Sequence, residues 1–388
     1  MDFALPESTV FFEHEVDRLL SQPESRQLLA ECRRRADGMD GDIRPLYRHL
    51  GRAGVLAPTW PAEYGGRDGD FTATAALLEQ MVRHGVPQNL YHISVQIVGS
   101  LIHASGTEEQ KKDLLPRLAS GDLTACILFT EPEHGSDLAS VGTTAVRDGD
   151  SEDAGWVLNG RKIYNLKSAY TDLALCAVRT DHAGSSRYEA ITLFLVPMDA
   201  PGVTVRPIPS LADEQFHDIR FTDVRLPADA VFGGVGKGWA LITRMFAAER
   251  SGVDYYARGR AWLDLVTDRL TRDGRQLTDV EASGLAHHRA RVEASRLLAC
   301  RVLQRLQDGD PDIAEASLAK WHCSETAQSV AWWALDVLGP EALDAPEDEL
   351  LEAAYREAPG MTISGGASEV MLDIVVGARL YDDPGTGS

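Results

Sequence analysis

Some residue groups in this sequence have types and spacings that could bind phosphate. Residues 233–238 read GGVGKG, and a glycine-rich loop of this kind can hold a phosphate on its backbone N–H groups. The Walker pattern does not fit, because Val231 stands at its first glycine and Gly238 at its hydroxyl position. No β-α-β unit surrounds the segment, so it is not a dinucleotide fingerprint either. We interpret it as a turn that opens a helix at Trp239.

Metal and nucleophile chemistry has weak support. His14 and Glu15 begin like a metalloprotease motif, but Arg18 stands where the second histidine should be. His287 and His288 are adjacent on a predicted helix and diverge, so we expect two surface side chains. The sequence has no G-x-S-x-G elbow, and its five cysteines form no C-x-x-C pair. We predict no metal site and no disulfide framework.

The elements that must position any site follow in the order helices, strands, helices. Up to about residue 120, apolar residues recur three and four apart, and Thr107 with Gln110 predicts a capped helix start. From residue 123, short β-branched and apolar runs between turns predict an antiparallel sandwich or barrel. From Trp239 the helical period returns, and residues 313–338 end at a Gly-Pro stop. The predicted fold is α+β multidomain, with an N-terminal helical domain (1–122), a middle β domain (123–232) and a C-terminal helical bundle (233–388).

Composition excludes several function classes. The chain has 388 residues, of which 44% are hydrophobic, so it can bury a large core. Its formal net charge of −21 repels phosphate backbones, and we expect no nucleic-acid partner. Its apolar runs are far shorter than a membrane span, and its first residues do not resemble a signal peptide. With unpaired cysteines, these features predict a cytoplasmic protein without a membrane partner.

A longer pattern crosses the predicted strands. Residues 127–137 read ILFTEPEHGSD and residues 155–164 read GWVLNGRKIY. Together they resemble the middle-domain signature of the acyl-CoA dehydrogenase family, T-E-P-x-x-G-S-D followed by L-N-G-x-K-x-W. Four further segments resemble other parts of the family in the same order: 57–66, 106–122, 221–239 and 362–370. The resemblance covers nearly the whole chain, and it implies the helix–strand–helix fold of that family.

The resemblance implies FAD as the cofactor. Phe129 and Thr130 would lie along its isoalloxazine ring, and Gly135 with Ser136 would approach its pyrophosphate. Tyr164 takes the place of the usual tryptophan beside the ring.

The flavin pocket and its cross-subunit contacts also depart from the family pattern. Leu166 replaces a hydroxyl residue that faces flavin N5, so a donor there is a backbone N–H or the amide of Asn165. The family segment that reaches the FAD of a neighbouring subunit is altered, and Arg269, Arg272 or Arg275 could substitute in it. The other positions that the resemblance assigns to the cofactor are Gly339, Ala367 and Glu369.

The resemblance also implies the reaction, in which a base removes the proton α to a thioester carbonyl while a hydride leaves the β-carbon. Such a base is a carboxylate whose pKa is raised in a dry site. Most family members carry it where this chain has Gly365. A subset carries it in a Glu-Arg pair of the C-terminal domain, which matches Glu249 as the base and Arg250 as its orienting neighbour. Glu369 is a weaker candidate.

The resemblance therefore predicts an FAD-dependent oxidoreductase acting on the CH–CH group of an acyl thioester, carried by coenzyme A or by an acyl carrier protein. It implies an electron-transfer flavoprotein or oxygen as the acceptor, and a homo-oligomer, dimer or tetramer. The departures leave two alternatives open. One is a flavin-dependent monooxygenase on the same fold. The other is a degenerate subunit of a hetero-oligomeric dehydrogenase.

Overall fold

The first part of the chain is helical, as its periodicity predicts. The computed structural model describes residues 6–33, 41–151, 154–180, 186–212, 215–340, 342 and 349–380. Thr107 Oγ1 accepts the Gln110 N–H (3.2 Å), and Gln110 Oε1 accepts the Thr107 N–H (3.0 Å), so the predicted capping box is confirmed. The helices are α1 (Glu7–Ser21), α2 (Pro23–Arg33), α3 (Arg44–Arg52), α4 (Phe71–Arg83), α5 (Asn89–Tyr91), α6 (Ser100–Ser105) and α7 (Glu108–Ala119).

A π-helical segment, His92–Gly99, joins α5 to α6. Ser94 Oγ accepts the N–H of Ala125 (2.8 Å) and donates to its carbonyl (2.9 Å), which ties the segment to the first strand. Gly99 packs against the indole of Trp60, since a Cβ there would lie 2.4 Å from the ring. These contacts fix the segment that carries His92.

The middle of the chain forms an eight-stranded sheet with the order β6-β7-β3-β2-β4-β5-β8. Most pairs are antiparallel, but β1 runs parallel to β4, and β2 makes a parallel contact with β4. The predicted antiparallel domain is thus corrected to a mixed sheet. The β2–β3 hairpin lies between β1 and β4 in the chain and supplies the crossover that the parallel pair β1–β4 needs. The strands are β1 (Ala125–Leu128), β2 (Thr144–Arg147), β3 (Trp156–Leu166), β4 (Leu173–Arg179), β5 (Ile191–Pro197), β6 (Val203–Ile208), β7 (Phe216–Leu226) and β8 (Val231–Phe232).

The last part of the chain is a bundle around the long helix α11. That helix ends at Leu338 with Gly339 as its C-cap at φ +74°, as the Gly-Pro pair predicts. The helices are α8 (Gly238–Glu249), α9 (Val253–Arg272), α10 (Asp279–Gln307), α11 (Ile313–Leu338), α12 (Glu349–Met361) and α13 (Ser368–Leu380).

One histidine of the bundle differs from its predicted position. His287 is exposed, but the expectation of a surface side chain is wrong for His288, whose ring lies 5.1 Å from the Trp333 ring because α11 covers that side of α10. Burial lowers the pKa of His288 to about 4.

One apolar core extends from Phe12 through the sheet to Cys323, so the helices and the sheet pack on each other. Within the described ranges, no helix is long and apolar enough to cross a membrane. The same residues contain no group of three or more His, Cys, Asp or Glu side chains that could hold a metal ion.

Candidate active site

Glu249 lies at a junction of three helices. It is the last residue of α8, and the chain then turns at Gly252, in the left-handed region at φ +82°, to begin α9. Gly252 also packs on α11, because a Cβ there would lie 2.9 Å from Cys323 Sγ. The turn therefore sets where the end of α8 meets α9 and α11.

One oxygen of the Glu249 carboxylate is buried without a hydrogen-bond partner among the described residues, although the residue as a whole is half-buried. Its Oε2 atom has no solvent exposure and makes no hydrogen bond to any described residue. Burial raises its pKa above the ordinary value of 4.5, against the charges of His92, Arg250 and Lys320, which lower it. An unpaired carboxylate of this kind is suited to act as a base.

Gly365 lies directly against this carboxylate. A Cβ at residue 365 would be 3.6 Å from Glu249 Oε1 and 3.4 Å from the Tyr255 hydroxyl. The backbone φ of +65° there favours glycine. Position 365, where most members of the acyl-CoA dehydrogenase family carry their base, therefore lies next to Glu249, the predicted replacement base.

Arg250 is buried and contacts the same loop. Its Nε donates to the Gly365 carbonyl (3.0 Å), and its guanidinium lies 4.1 Å from the centre of the Phe246 ring. The predicted orienting neighbour of Glu249 thus holds the backbone opposite the carboxylate.

Two further residues of this site escaped the sequence analysis. Lys320 of α11 is 1% exposed, and its Nζ donates to the Gly366 carbonyl (2.7 Å). Burial lowers its pKa to about 8. His92, in the π-helical segment that packs on α8, lies close enough for its charge to lower the pKa of Glu249, and its Nδ1 is 2.6 Å from Gln96 Oε1. A lysine among small apolar residues of α11, such as Ala316 and Cys323, was the only available signal for Lys320.

The T-E-P-x-x-G-S-D segment is joined to β3 by a buried ion pair. Lys162 Nζ donates to Glu131 Oε1 (2.8 Å) and to the Phe129 carbonyl (3.1 Å). The Ile163 N–H donates to the Thr130 carbonyl (2.9 Å). These contacts fix the backbone of Phe129 and Thr130 beside Tyr164, which follows in β3.

An open surface lies beside this pair, formed by Thr130, Gly135, Ser136 and Tyr164. The Thr130 and Ser136 hydroxyls make no hydrogen bond to any described residue, and both Gly135 and Ser136 are exposed. A Cβ at Gly135 would meet nothing closer than Thr130 Cγ2, at 4.0 Å. Tyr164 is 59% exposed and has φ +56°. Free hydroxyls, open backbone and an exposed aromatic ring fit the chemistry of a flavin ring and pyrophosphate.

The next two residues of β3 lie deeper. Asn165 is buried, and its Nδ2 donates to the His217 carbonyl (3.4 Å), so its amide faces β7. Leu166, the last residue of β3, is half-buried. Because the Asn165 amide is engaged on β7, it does not belong to the open surface.

The remaining predicted residues fall into two places. Ala367 and the exposed Glu369 lie at the start of α13, next to the Gly365 loop. Arg269 pairs with Asp273 (4.0 Å) in the last turn of α9, about 24 Å along that helix from its start beside Glu249. Gly339 caps the far end of α11. One chain therefore does not bring Arg269 or Gly339 to the Glu249 site.

The two alternatives to Arg269 differ in their surroundings. Arg275 donates to the Val337 carbonyl and to Glu281, so it ties the α9–α10 connection to the end of α11. Arg272, at the end of α9, is exposed.

This chain is similar to known proteins in both sequence and fold. The descriptions that match are "Acyl-CoA dehydrogenase, N-terminal domain" over residues 15–122, "middle domain" over 126–224 and "C-terminal domain" over 236–380. The chain is 31% identical to acyl-CoA dehydrogenase IpdE1 of Mycobacterium tuberculosis over 352 residues, 86% of each protein. It is 31% identical to acyl-CoA dehydrogenase FadE26 of the same organism over 376 residues, 92% of each.

A solved structure, the Tcur3481-Tcur3483 steroid ACAD, matches with a TM-score of 0.86 and 29% identity. The match covers 98% of this chain and 99% of that one. The family resemblance of the sequence is therefore confirmed over all three parts of the fold. The chain belongs to the acyl-CoA dehydrogenase family, whose members are flavoprotein oxidoreductases acting on CH–CH groups.

Proposed function

We propose that this protein is an FAD-dependent acyl-thioester dehydrogenase in which Glu249 removes the α-proton. The observation that carries the proposal is the Glu249 carboxylate, whose buried Oε2 has no hydrogen-bond partner among the described residues and whose Oε1 faces Gly365. A base must be free to accept a proton, and burial raises the pKa of this carboxyl group, which favours proton uptake.

In the proposed reaction, Glu249 carries out the proton transfer. Ionised Glu249 takes the α-proton, and the electron pair of the broken C–H bond forms the new carbon–carbon double bond as a hydride leaves the β-carbon. FAD, when bound, supplies the acceptor for that hydride. Since burial raises the pKa of Glu249, kcat/KM should fall with decreasing pH at a higher pH than for an ordinary glutamate.

The cofactor is held, in this proposal, by the open surface of Thr130, Gly135, Ser136 and Tyr164, with Phe129 and Leu166 beside it. Ala367 and Glu369 lie near the Gly365 loop and would approach the cofactor from the C-terminal bundle. Asn165 contributes indirectly, because its amide is engaged on β7.

A homo-oligomer would complete this cofactor site. Arg269 and Gly339 lie far from Glu249 in their own chain, which supports a role at the FAD of a neighbouring subunit. For the substrate we propose acyl-CoA, because the relatives are named acyl-CoA dehydrogenases. An acyl carrier protein thioester is the alternative carrier, and an electron-transfer flavoprotein or oxygen is the proposed acceptor.

The test is an anaerobic visible titration of the purified protein with acyl-CoA and acyl-carrier thioesters, in the wild type and in Glu249→Gln. The wild type should bleach, and the variant should be reduced about 10² to 10⁴ times more slowly, the usual contribution of general base catalysis. Glu293→Gln is the matched control, since this glutamate forms an exposed ion pair with Arg296 on α10.

Three outcomes would contradict the proposal. Equal bleaching in Glu249→Gln would remove Glu249 as the base. A bound flavin that no thioester reduces, with oxygen consumption once the flavin is reduced, would favour the monooxygenase. Binding of FAD only together with a homologous partner would favour the subunit of a hetero-oligomer.

A further inference from the structure

The loop opposite Glu249, residues 362–367, makes a tight turn that only glycine accepts easily. Gly365 has φ +65° and Gly366 has φ +115°, both in the left-handed region. Their carbonyls therefore point away from the loop towards the helices around it. Backbone hydrogen bonds close the loop, including Ser368 N–H to the Thr362 carbonyl (3.0 Å).

Two buried cations take these consecutive carbonyls. Arg250 Nε donates to the Gly365 carbonyl (3.0 Å) and Lys320 Nζ donates to the Gly366 carbonyl (2.7 Å). The side chains come from α8 and α11, and both residues are more than nine-tenths buried. Burying one cation is unfavourable unless it is well partnered, and here two are buried side by side. The carbonyl contacts, together with the nearby negative charge of Glu249, offset this penalty.

The arrangement bears directly on Glu249. Lys320 Cε lies 4.0 Å from the Cβ position of residue 365, and Glu249 Oε1 lies 3.6 Å from the same point. Lys320 Nζ also lies 5.5 Å from the centre of the Tyr255 ring, which contacts the same glycine. Moving Lys320 would therefore move the backbone wall that faces the carboxylate.

We propose that Lys320 is a positioning residue for the base: it fixes the Gly366 carbonyl, and its charge favours the ionised form of Glu249. This inference rests on the proposed function. Lys320 contacts the loop that faces Glu249, so we expect its effect on the reaction to pass through Glu249. Several charged and titratable groups face these two residues: the charges of His92, Arg250 and Lys320 favour the ionised form of Glu249, and the charge of Asp254 disfavours it. Tyr255 also faces Glu249, and Glu325 faces Lys320.

The test replaces Lys320 by methionine, which has similar length but neither charge nor donor, and by arginine, which has both. Hydrogen exchange of residues 362–368 should be faster in Lys320→Met, and kcat should fall about tenfold to a hundredfold, as for other supporting residues. The acid limb of the kcat/KM profile should move to higher pH, because Glu249 loses a nearby positive charge. Lys320→Arg should recover part of each effect.

The control is Thr326→Val on the same helix, which keeps the side-chain shape and removes a buried hydroxyl that makes no hydrogen bond to the described part of the chain. It should leave loop exchange, kcat and the pH profile unchanged. Flavin content and the thermal unfolding temperature of each variant separate loss of the fold from loss of positioning. A Lys320→Met enzyme with an unmoved acid limb, or with unchanged loop exchange, would overturn the inference.

Failure of the proposed function has a different signature. If Glu249→Gln is reduced as fast as the wild type, Glu249 is not the base, whatever the exchange of the loop in Lys320→Met. If Glu249→Gln is slow and Lys320→Met keeps the wild-type pH profile, the function stands and the role of Lys320 is wrong.

Discussion

At the scale of single residues, the Lys162–Glu131 ion pair places two charges in the interior of the protein. Lys162 is fully buried and Glu131 is 7% exposed, and Lys162 Nζ lies 2.8 Å from Glu131 Oε1. Burial raises the pKa of Glu131, but the charge and hydrogen bond of Lys162, with the Thr143 and Gly142 N–H groups, outweigh it and the net pKa is lowered. The pair stabilises the fold only while both members are present.

Lys162→Met should therefore destabilise the protein by about 3 to 5 kcal/mol at neutral pH, because Glu131 is left as an uncompensated buried charge. The double variant Lys162→Met/Glu131→Gln should recover much of the loss. Because the folded pKa of Glu131 is lowered, its contribution is present above the ordinary pKa of glutamate and is lost as the pH falls through the lowered value. Urea denaturation of both variants at neutral and acidic pH measures these differences.

The exposed Arg225–Asp148 pair is the control for this prediction. Its arginine side chain is 70% exposed, so Arg225→Met should change the free energy of unfolding by no more than about 1 kcal/mol. If Lys162→Met changed the free energy of unfolding by a similarly small amount, the buried pair would not be needed to hold the T-E-P-x-x-G-S-D segment.

At the scale of elements, the turn from α8 into α9 decides where Glu249 lies. Gly252→Ala should destabilise the protein by about 2 to 5 kcal/mol, which combines about 1 to 2 for a side chain in the left-handed region with about 1 to 3 for overpacking against α11. It should also lower kcat, because Glu249 lies three residues before the turn. Thermal unfolding and the rate of flavin reduction measure the two effects.

Gly274→Ala separates the two causes. Gly274 has a similar backbone conformation (φ +59°), but a Cβ there would meet nothing within 4 Å. This variant should show only the conformational penalty and keep full activity. If Gly252→Ala were no worse than Gly274→Ala, the contact of the turn with α11 would not matter.

The sequence predicts elements well where the signal is local. The capping box of Thr107 and the stop at Gly339 depend on residues a few positions apart, and both are confirmed. The strand β2 escaped prediction because it has four residues, two of which are exposed. The parallel pairing of β1 with β4 escaped because it depends on contacts between distant segments.

At the scale of the whole molecule, the Glu249 site is assembled from segments that lie far apart in the chain. His92, Glu249, Lys320 and Gly365 come from the π-helical segment, α8, α11 and the loop before α13. The resemblance to the acyl-CoA dehydrogenase family marks Glu249 and Gly365 in the sequence, whereas no sequence motif marks Lys320 or His92. Their roles follow only from the packing of the N-terminal helices and the C-terminal bundle around one carboxylate.

The packing of α4 on α9 predicts that the N-terminal helices and the C-terminal bundle unfold together. Glu79 of α4 is half-buried and accepts a hydrogen bond from the Tyr256 hydroxyl of α9. Burial raises the pKa of Glu79, and this bond lowers it, so Tyr256→Phe should raise the pKa further. We expect a loss of about 1 to 3 kcal/mol at neutral pH, the usual penalty for a buried group without its partner, and a smaller loss in acid, where the carboxyl is protonated.

Hydrogen exchange gives the measurement that belongs to this scale. Because Glu79 and Tyr256 join α4 to α9, Tyr256→Phe should speed exchange in both helices, whereas Tyr355→Phe, at an exposed tyrosine of α12, should change neither. Faster exchange in α4 alone would mean that the N-terminal helices open independently of the bundle. Joint opening would also change the surroundings of Glu249, because the π-helical segment follows α4 in the chain and packs on α8, the helix that ends at Glu249.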